Sequence, residues 1–344
     1  MKKRYRVAQW ATGNVGMQAL RAVIAHPQFE LVGVKTYSNA KAGRDAGELC
    51  GLSPTGVIAT QEIDTIIAAR PDCVVYMPDR PEIDVLCRLL GNGSNVVTSL
   101  TDFNHRDSIE PAMRERLEQA CKRGGTSLYA SGSTPGYSTE TVLFALTSIM
   151  RRIDKITQTE CADISSRNSP EMLFDLLGFG RDPAAIGQSA IDPTTGLAPS
   201  LRMTAASLGL PLEEVTCRFE YAVATSNFDI AAGHIKAGTI AAMRMDIEGV
   251  RNGKPLIVRR AIWYLTKDIV PRWTLPESGW HYQIEGDVPM DVKITHPVSA
   301  EDYPRMTPGM TAHPVINAIP YVCEAPSGLL QTSDLPPVIG NFAS

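Results

Sequence analysis

Short apolar runs alternate with segments of helical periodicity through the first 135 residues of the chain. The apolar runs, each suited to one buried strand, lie at 5–10, 29–37, 72–78, 95–100 and 126–132. Apolar residues recur at helical spacing at 16–27, 64–71, 82–93 and 109–125. Strands that alternate with helices of about 10–15 residues indicate a parallel sheet that helices cover on both faces. We therefore predict a doubly wound α/β domain for this part of the chain.

The pattern changes after Pro135. Long segments that are β-branched or alternate between apolar and polar positions lie at 155–165, 213–225, 234–250, 254–266 and 279–297. Helical patterns lie at 138–150, 169–178, 198–209 and 310–326. Long alternating segments joined by tight turns are typical of an antiparallel sheet. The sequence therefore predicts a second, α+β domain with one open sheet, mixed or antiparallel.

Composition agrees with two globular domains and argues against several classes of partner. A chain of 344 residues is too long for one ordinary core, and 44% hydrophobic with 20% charged residues is a globular composition. The net charge of −4 gives no reason to expect binding to nucleic acid or to a membrane surface. No apolar run approaches the roughly 20 residues of a membrane span.

The termini, cysteines and histidines bear on location and metal binding. The first ten residues, "MKKRYRVAQW", lack the apolar stretch of a signal peptide. The seven cysteines include no CxxC pair, and the six histidines have no metal-ligand spacing. We therefore expect reduced thiols, a cytoplasmic location and no metal site.

A glycine turn follows the first predicted strand and precedes the first predicted helix. In "VAQWATGNVG" the spacing Ala11-x-Gly13-x-x-Gly16 is close to the dinucleotide-binding pattern G-x-G-x-x-G. The first small residue allows a tight turn, the second lets the backbone approach a pyrophosphate, and the third lets helix and strand pack closely. Alanine in the first position is small but is expected to give up positive φ. The alternative is a turn that needs glycine for packing alone.

The residues predicted to contact a dinucleotide in this turn are Ala11, Thr12, Gly13, Asn14, Val15 and Gly16. The end of the second strand bears on which dinucleotide is bound, because an NAD-specific site usually has an acid there. Ser38, Lys41 and Arg44 precede the first acid, Asp45, and offer the hydroxyl and the cations that a ribose phosphate requires. We expect NADP(H) to be preferred and NAD(H) to be usable, unless Lys41 and Arg44 are only solvated loop charges.

Ligands of open α/β sheets bind outside the carboxyl ends of the strands. In this chain those ends include Met77 and Pro78 after one strand, Thr98 and Ser99 after the next, and Pro135 after the last. We therefore expect these residues to border the nicotinamide and its ribose.

Stretches over nearly the whole chain resemble the dihydrodipicolinate reductase-like superfamily. They are "VAQWATGNVGMQALRAVIAHP", "GRDAGELCGLSPTGVIAT", "GGTSLYASGSTPGY", "FDIAAGHIKAGTIAA" and "VINAIPYVCEAPSGLL". Within that superfamily the resemblance is to 2,4-diaminopentanoate dehydrogenases and the native amine dehydrogenases related to them, including mycobacterial members. True dihydrodipicolinate reductases carry paired histidines, and no two histidines are adjacent here, so their own reaction is not expected.

The resemblance implies a domain organisation and an activity. It implies a Rossmann domain over 1–135 that is joined by 310–344, and a substrate and dimerisation domain over 136–309. It also implies a homodimer formed through the second sheet, and NAD(P)H-dependent reductive amination of a carbonyl compound with ammonia. Asn317 matches an asparagine of the group, and its amide is expected to hold the nicotinamide carboxamide or to cap a turn.

Reductive amination needs a group that deprotonates ammonium and stabilises a cationic intermediate, and a carboxylate suits both tasks. In the group that the chain resembles, a glutamate just after the fourth strand has this part. Here Asp102 is the nearest acid after "NVVTSL", and the alternative is an N-cap or a solvated charge. Glu160, in the first strand of the second domain, is the other candidate, unless it is a paired structural carboxylate.

The leading hypothesis is an amine dehydrogenase that transfers hydride to a C=N or C=O centre of a small ketone or aldehyde. One alternative is reduction of a plain carbonyl or a cyclic imine on the same scaffold. Another is a dinucleotide-binding sensor without turnover, which the missing glutamate motivates.

Overall fold

The computed structural model describes residues 3–186, 197–299 and 302–340. Its strands are β1 (Tyr5–Trp10), β2 (Phe29–Lys35), β3 (Ala59–Thr60), β4 (Cys73–Tyr76), β5 (Asn95–Thr98), β6 (Ser127–Ala130), β7 (Ile153–Asp163), β8 (Glu214–Ala224), β9 (Phe228–Ile230), β10 (Gly233–Ile235), β11 (Ile240–Arg251), β12 (Lys254–Tyr264), β13 (Ile269–Val270), β14 (Gly279–Gly286), β15 (Met290–Thr295) and β16 (Gly328–Leu330). Its helices are α1 (Asn14–Ala25), α2 (Ala46–Leu49), α3 (Ile63–Ala68), α4 (Ile83–Gly91), α5 (Pro111–Gly124), α6 (Val142–Thr147), α7 (Pro183–Ile186), α8 (Leu197–Ser207) and α9 (Tyr303–Glu324). The chain divides into two compact units, Met1–Val142 with Arg305–Ser344, and Leu143–Pro304.

The first unit is built on a parallel sheet with the strand order β16-β6-β5-β4-β1-β2-β3. Every pair of neighbouring strands in it is parallel. The predicted Rossmann-type sheet is thus confirmed. The edge strands β3 and β16 are missing from the sequence prediction, because two or three residues are too few to show a periodic pattern.

Both faces of the first sheet carry an apolar core, because the side chains of each strand alternate between the faces. On one face Val74 of β4 belongs to a core that includes Leu86 of α4. On the other face Val75 belongs to a core that includes Ala19 of α1 and Ile316 of α9. With both faces covered by helices, the carboxyl ends of the strands form the edge where loops can build a site.

The second unit is built on a mixed sheet with the strand order β13-β8-β11-β12-β7-β14-β15. The antiparallel pattern predicted for this region holds for most neighbours, but β12 and β7 are parallel. A long stretch of chain separates these two strands, so local alternation gives no signal for their relative direction. The segment 234–250 is also broken, because Gly238 at φ +80° separates β10 from β11. The segment 279–297 is a hairpin of β14 and β15.

Two helices start at other places than the sequence pattern predicts. The helix predicted over 138–150 is the six-residue α6, and a π-helical turn at Ser133–Thr141 precedes it. Gly136, at φ +127°, breaks regular helical geometry within that turn. The helix predicted over 310–326 is α9, which starts earlier and continues through three prolines.

Candidate functional site

The loop between β1 and α1 has the geometry of a dinucleotide-binding turn with one unusual feature. Ala11 adopts φ +68°, so the expectation that alanine gives up positive φ here is wrong. This conformation costs a residue with a Cβ roughly 1–2 kcal/mol. Two hydrogen bonds stabilise it: Ala11 N donates to the carbonyl oxygen of Lys35 at 2.9 Å, and Gln9 Nε2 donates to that of Ala11 at 2.8 Å.

The two glycines of the loop have different roles. A Cβ on Gly16 would lie 2.4 Å from the carbonyl oxygen of Ala11, so glycine is required there for the close approach of helix and loop. A Cβ on Gly13 would meet no protein atom within 4 Å, so the backbone at Gly13 borders open space. Within the described helix α1, Gly13 supplies no side-chain cap and the first turn contains no acid. The amides of Asn14, Val15 and Gly16 therefore leave their positive end free for an anion.

The cavity beside the loop measures about 610 Å³, within the range of roughly 300–1,000 Å³ that is usual for small-molecule and cofactor sites. It is lined by Ala11, Thr12, Gly13, Thr36, Tyr37, Ser38, Lys41, Met77, Pro78, Asp79, Arg80 and Glu82. The structure thus brings together residues from the carboxyl ends of β1, β2 and β4. Seven of the fifteen cofactor residues predicted from the sequence are in this lining: Ala11, Thr12, Gly13, Ser38, Lys41, Met77 and Pro78.

Arg44, one of the predicted cations, is not in the lining of the cavity, whereas Arg80 is. Arg44 is exposed, and its carbonyl accepts a hydrogen bond from Ala59 N at 2.9 Å, where the chain turns back along the edge of the sheet. Its predicted contact with the cofactor is therefore not supported by the structure. Arg80 lines the cavity and was not among the predicted site residues. The sequence does contain a feature that indicates Arg80, because this cation follows Met77 and Pro78 in the segment at the carboxyl end of a strand.

The polar groups at the β2 side of the cavity are linked to one another. Lys41 Nζ donates to the carbonyl oxygen of Thr12 at 2.5 Å, and this bond links the loop after β2 to the glycine turn. Trp10 Nε1 donates to the Tyr37 hydroxyl at 3.0 Å, and that hydroxyl donates to Glu82. Burial and the hydrogen bond to Glu82 raise the pKa of Tyr37, so this hydroxyl stays protonated at neutral pH.

Buried Lys35 lies against the aromatic rings of Tyr37 and Trp10. Its ammonium lies 4.1 Å from the centre of the Tyr37 ring and 5.4 Å from that of Trp10, and it donates to the carbonyl oxygen of Thr36 at 3.2 Å. Burial lowers the pKa of Lys35, although Glu82 acts in the opposite direction. Lys35 therefore supports the aromatic wall of the cavity and is not in its lining.

The residues predicted to border the nicotinamide have separate environments. Thr98 is buried, and its hydroxyl accepts a hydrogen bond from Leu100 N at 3.1 Å. Ser99 donates its hydroxyl to the sulfur of Met77, a cavity-lining residue, at 3.2 Å. Pro135 is buried in the π-helical turn after β6 and follows a cis peptide bond. None of these three is in the lining of the cavity, although Ser99 contacts it through Met77.

Asn317 is on the wrong side of the first sheet for its predicted role. It lines a separate cavity of about 340 Å³ together with Tyr5 and His26. Tyr5 begins β1 and His26 follows the end of α1, whereas the glycine loop joins the opposite ends of both elements. Asn317 therefore lies at the amino end of the sheet, and the structure does not support the predicted contact with the nicotinamide carboxamide.

The two candidate acids differ in how fully their oxygens are used. Asp102 is exposed in a short 3-10 helix after β5, and it makes no hydrogen bond or ion pair with any other residue that the structure describes. Glu160 lies on β7 opposite Trp280. Its Oε1 accepts from Trp263 Nε1 at 3.1 Å, and its Oε2 accepts from Trp280 Nε1 at 3.0 Å. Two indoles thus fix the orientation of the Glu160 carboxylate.

Within the described ranges, no cluster of three or more His, Cys, Asp or Glu side chains could hold a metal ion. No helix in the described part of the chain is both long and apolar enough to cross a membrane.

Comparison with known proteins establishes the family. The 2,4-diaminopentanoate dehydrogenase C-terminal domain profile matches residues 137–342, more than half of the chain. The chain belongs to the 2,4-diaminopentanoate dehydrogenase family. An amine dehydrogenase from Streptomyces virginiae is 32% identical to this family member over 353 residues, which cover 97% of each chain. The profile of the dihydrodipicolinate reductase N-terminus matches residues 10–123.

Two solved structures share the fold of this 2,4-diaminopentanoate dehydrogenase family member. An amine dehydrogenase from Mycobacterium smegmatis aligns over 99% of this chain and 98% of its own, with a TM-score of 0.78 at 18% identity. A myo-inositol dehydrogenase from Corynebacterium glutamicum aligns over 92% and 89%, with a TM-score of 0.51 at 12% identity. At these identities the likeness concerns the fold alone.

These findings confirm the predicted group and the predicted class of enzyme. The protein is an NAD(P)-dependent oxidoreductase with a Rossmann dinucleotide-binding domain. The residues present fit a nicotinamide dinucleotide: the open backbone at Gly13 and the uncapped start of α1 suit a pyrophosphate. Met77 and Pro78 border the same cavity at the end of the neighbouring strand.

Proposed function

We propose that the protein catalyses reductive amination, the NADPH-dependent conversion of a small ketone or aldehyde and ammonia into an amine. The observation that carries the proposal is the cavity over the glycine loop, in a chain that matches an amine dehydrogenase along 97% of its length. When bound, the nicotinamide supplies the hydride. The residues of the chain have to hold the dinucleotide, exclude water and carry protons between ammonia, the carbonyl oxygen and solvent.

The contacts of the two acids favour Asp102 for proton transfer. Its carboxylate is exposed and, among the described residues, has no partner that would have to be displaced when it accepts a proton. Glu160 already accepts a hydrogen bond on each oxygen, which fixes its position. We propose Glu160 as a structural carboxylate. Asp102 is one methylene shorter than the glutamate of the group, which restricts its reach toward a bound substrate.

Two features of the cavity support a preference for NADPH over NADH. Ser38 and Lys41 lie in its lining at the end of β2, where NAD-specific sites have an acid. The Lys41 ammonium contributes positive charge at the same end, even though it donates to the carbonyl of Thr12. Both features favour the binding of a ribose 2′-phosphate.

We also propose that the protein is a homodimer formed through the second sheet. Charged side chains from neighbouring strands pair on one side of that sheet, as Arg244 does with Glu220 and Arg260 with Asp246. Because these charges are paired within the chain, they can lie in an interface between two copies without leaving a buried unpaired charge. Light scattering should give twice the chain mass of 37.3 kDa.

The test of the activity is NADPH oxidation with a panel of small ketones and aldehydes, with and without ammonium. Reductive amination predicts turnover that depends on ammonium, with the amine as product. Turnover that ammonium does not affect would replace the proposal with reduction of a plain carbonyl. Tight cofactor binding without turnover on any carbonyl or cyclic imine would favour a sensor.

The assignment of the proton carrier is tested by Asp102→Asn and Glu160→Gln. Asp102→Asn should lower the ammonium-dependent kcat by roughly 100-fold, within the range for general acid–base groups, and leave the thermal midpoint unchanged. Full activity in Asp102→Asn would remove Asp102 from the mechanism.

A further inference from the structure

The cations near the cofactor cavity differ in how far their bonding capacity is already used. The Lys41 ammonium is 2.5 Å from the carbonyl oxygen of Thr12, and the Lys35 ammonium is buried beneath two aromatic rings. Arg80, in the turn after β4, is exposed and lines the cavity. Among the residues that the structure describes, it makes no hydrogen bond, ion pair or ring contact. Its guanidinium group is therefore free to bind a ligand.

We propose that Arg80 selects the cofactor by binding the 2′-phosphate of the adenosine ribose, with the Ser38 hydroxyl as a second donor. The inference rests on the proposed preference for NADPH and names the residue that causes it. Arg80 and Ser38 come from the carboxyl ends of two different strands, β4 and β2, and line one cavity with Tyr37. A phosphate bound in this cavity would accept hydrogen bonds from Arg80 on one side and from Ser38 on the other.

The chemistry of the side chain explains why this position matters more than Lys41. A guanidinium presents two parallel N–H groups to two phosphate oxygens, whereas an ammonium acts as a point charge. The acid next to Arg80, Asp79, also lines the cavity, and Glu82 is engaged by the Tyr37 hydroxyl. The turn therefore has no large positive potential of its own. Selection has to come from bidentate geometry at Arg80, which separates this proposal from general attraction of anions.

The experiment measures dissociation constants of NADPH and NADH for the full chain and three variants: Arg80→Ala, Arg80→Lys and, as the matched control, Arg44→Ala. Arg80→Ala should weaken NADPH binding by roughly 10- to 100-fold, the usual effect of losing a charge-assisted pair, and change NADH binding by less than about threefold. Arg80→Lys should recover only a minor part of the loss. Arg44→Ala should bind both cofactors as the unmodified protein does, because Arg44 is an exposed arginine outside the lining.

Fragments of the cofactor identify the group that Arg80 binds. Adenosine 2′,5′-bisphosphate should bind more tightly than 5′-AMP, and the difference should vanish in Arg80→Ala. Inorganic phosphate that binds as tightly as the bisphosphate would overturn the proposal in favour of a free-anion site. Thermal midpoints and circular dichroism establish that each variant is folded.

The remaining outcomes separate this inference from the proposed function. If the unmodified protein prefers NADPH and Arg80→Ala keeps that preference, Arg80 is not the selector and the NADPH preference stands. If Arg80→Ala weakens both cofactors equally, Arg80 has a general binding role and the proposal is wrong. If the unmodified protein does not distinguish the cofactors, both the preference and the role of Arg80 fail. Ammonium-dependent turnover is judged separately from all of these.

Discussion

The edge of the first sheet that borders the cofactor cavity and the interior of the second sheet differ in how far their polar groups are already hydrogen-bonded. At the edge, the Gly13 backbone borders open space and the Arg80 side chain has no partner among the described residues. In the second sheet, Glu160 accepts from two indoles and Asp246 from two arginines. Buried Arg259 there donates to the hydroxyls of Ser200 and Thr204. The unused bonding capacity at Gly13 and Arg80 is thus available to a ligand, whereas the Glu160 and Asp246 carboxylates use theirs to stabilise the fold.

The largest effect on stability is expected from Asp246→Asn. Asp246 is 1% exposed and accepts hydrogen bonds from Arg260 Nε at 2.7 Å, Arg260 Nη2 at 2.6 Å and Arg218 Nη2 at 3.3 Å. Asparagine leaves two arginines without their anion, which should reduce the free energy of unfolding by about 3 kcal/mol. Urea unfolding at pH 7 measures this loss. Asp64→Asn is the control, because that carboxylate is 82% exposed beside Arg88, and no measurable change is expected.

The effect of Asp246 should also depend on pH in a defined direction. Burial alone would raise the pKa of Asp246, but hydrogen bonds and charge from Arg260, and then from Arg218, outweigh it and hold the pKa below its usual value. A lowered folded-state pKa means that the stabilisation is complete above the unfolded pKa of about 3.9 and is lost as pH falls through the folded pKa. The stabilities of Asp246→Asn and the unmodified protein should converge in acid. A difference that stays constant down to pH 2 would contradict this account.

Alanine at the two loop glycines should separate packing from ligand binding. In Gly16→Ala the new methyl group meets the carbonyl oxygen of Ala11 at 2.4 Å, so the loop has to shift at about 2 kcal/mol. Both the thermal midpoint and the affinity for NADPH should fall. In Gly13→Ala the methyl group meets no protein atom within 4 Å, and φ of −71° suits alanine. Here only the affinity should fall, by roughly 10-fold or more.

The stability of Gly13→Ala is expected to stay close to that of the unmodified protein for a definite reason. Alanine is a poorer helix N-cap than glycine, but it also reduces the entropy of the unfolded chain, and each effect is about 0.5–1 kcal/mol. Equal losses of affinity and stability in both variants would show that Gly13 serves packing alone, as the alternative to a dinucleotide site requires.

Glu160→Gln should have a smaller, structural effect. A glutamine side chain can accept from one indole, but its NH₂ group faces the other indole N–H, so one hydrogen bond is lost at about 1–2 kcal/mol. The emission of Trp263 and Trp280 should change, and kcat should fall less than in Asp102→Asn. Glu214→Gln is the control, because Glu214 is exposed on β8. An unchanged thermal midpoint with a large loss of kcat would make Glu160 the proton carrier.

The sequence allowed prediction of the features that depend on neighbouring residues. The alternation of apolar runs and helical periods located most strands of the first sheet, and the spacing of Gly13 and Gly16 located the glycine turn. Features that depend on distant contacts could not be predicted in this way. Strand β7 pairs in parallel with β12, and the paired residues Ile156 and Ile257 are 101 positions apart in the chain. Local alternation cannot reveal such a pair.

Site residues show the same limit. Arg44 and Arg80 are both arginines in segments that follow a strand, and only the path of the backbone decides which one lines the cavity. Asn317 is on a helix that runs along the sheet, and a position in the sequence does not tell which end of the sheet it reaches. For Ala11, propensity argues against positive φ, and the buried side chain that stabilises this conformation is two residues earlier.

The smallest expected effect concerns the bend that the positive φ of Ala11 creates in the glycine loop. Gln9 is fully buried, and its Nε2 donates to the carbonyl oxygens of Trp10 at 3.2 Å and Ala11 at 2.8 Å. Glycine at position 11 adopts positive φ without strain but loses more entropy on folding, so Ala11→Gly should change stability by less than about 1 kcal/mol. Gln9→Leu removes the donor and should weaken NADPH binding severalfold, because the loop can then leave the positive φ that the bend requires.

The double variant decides whether Gln9 compensates for the missing glycine. With glycine at position 11 the bend needs no side-chain support, so Gln9→Leu should weaken NADPH binding less in the Ala11→Gly background than in the unmodified protein. A coupling of at least about 0.5 kcal/mol between the two substitutions is expected for residues in direct contact. Dissociation constants for NADPH in the four proteins give this value. Additive effects would mean that the Gln9 amide contributes to packing but does not hold the bend, and that Ala11 keeps positive φ through the Lys35 contact alone.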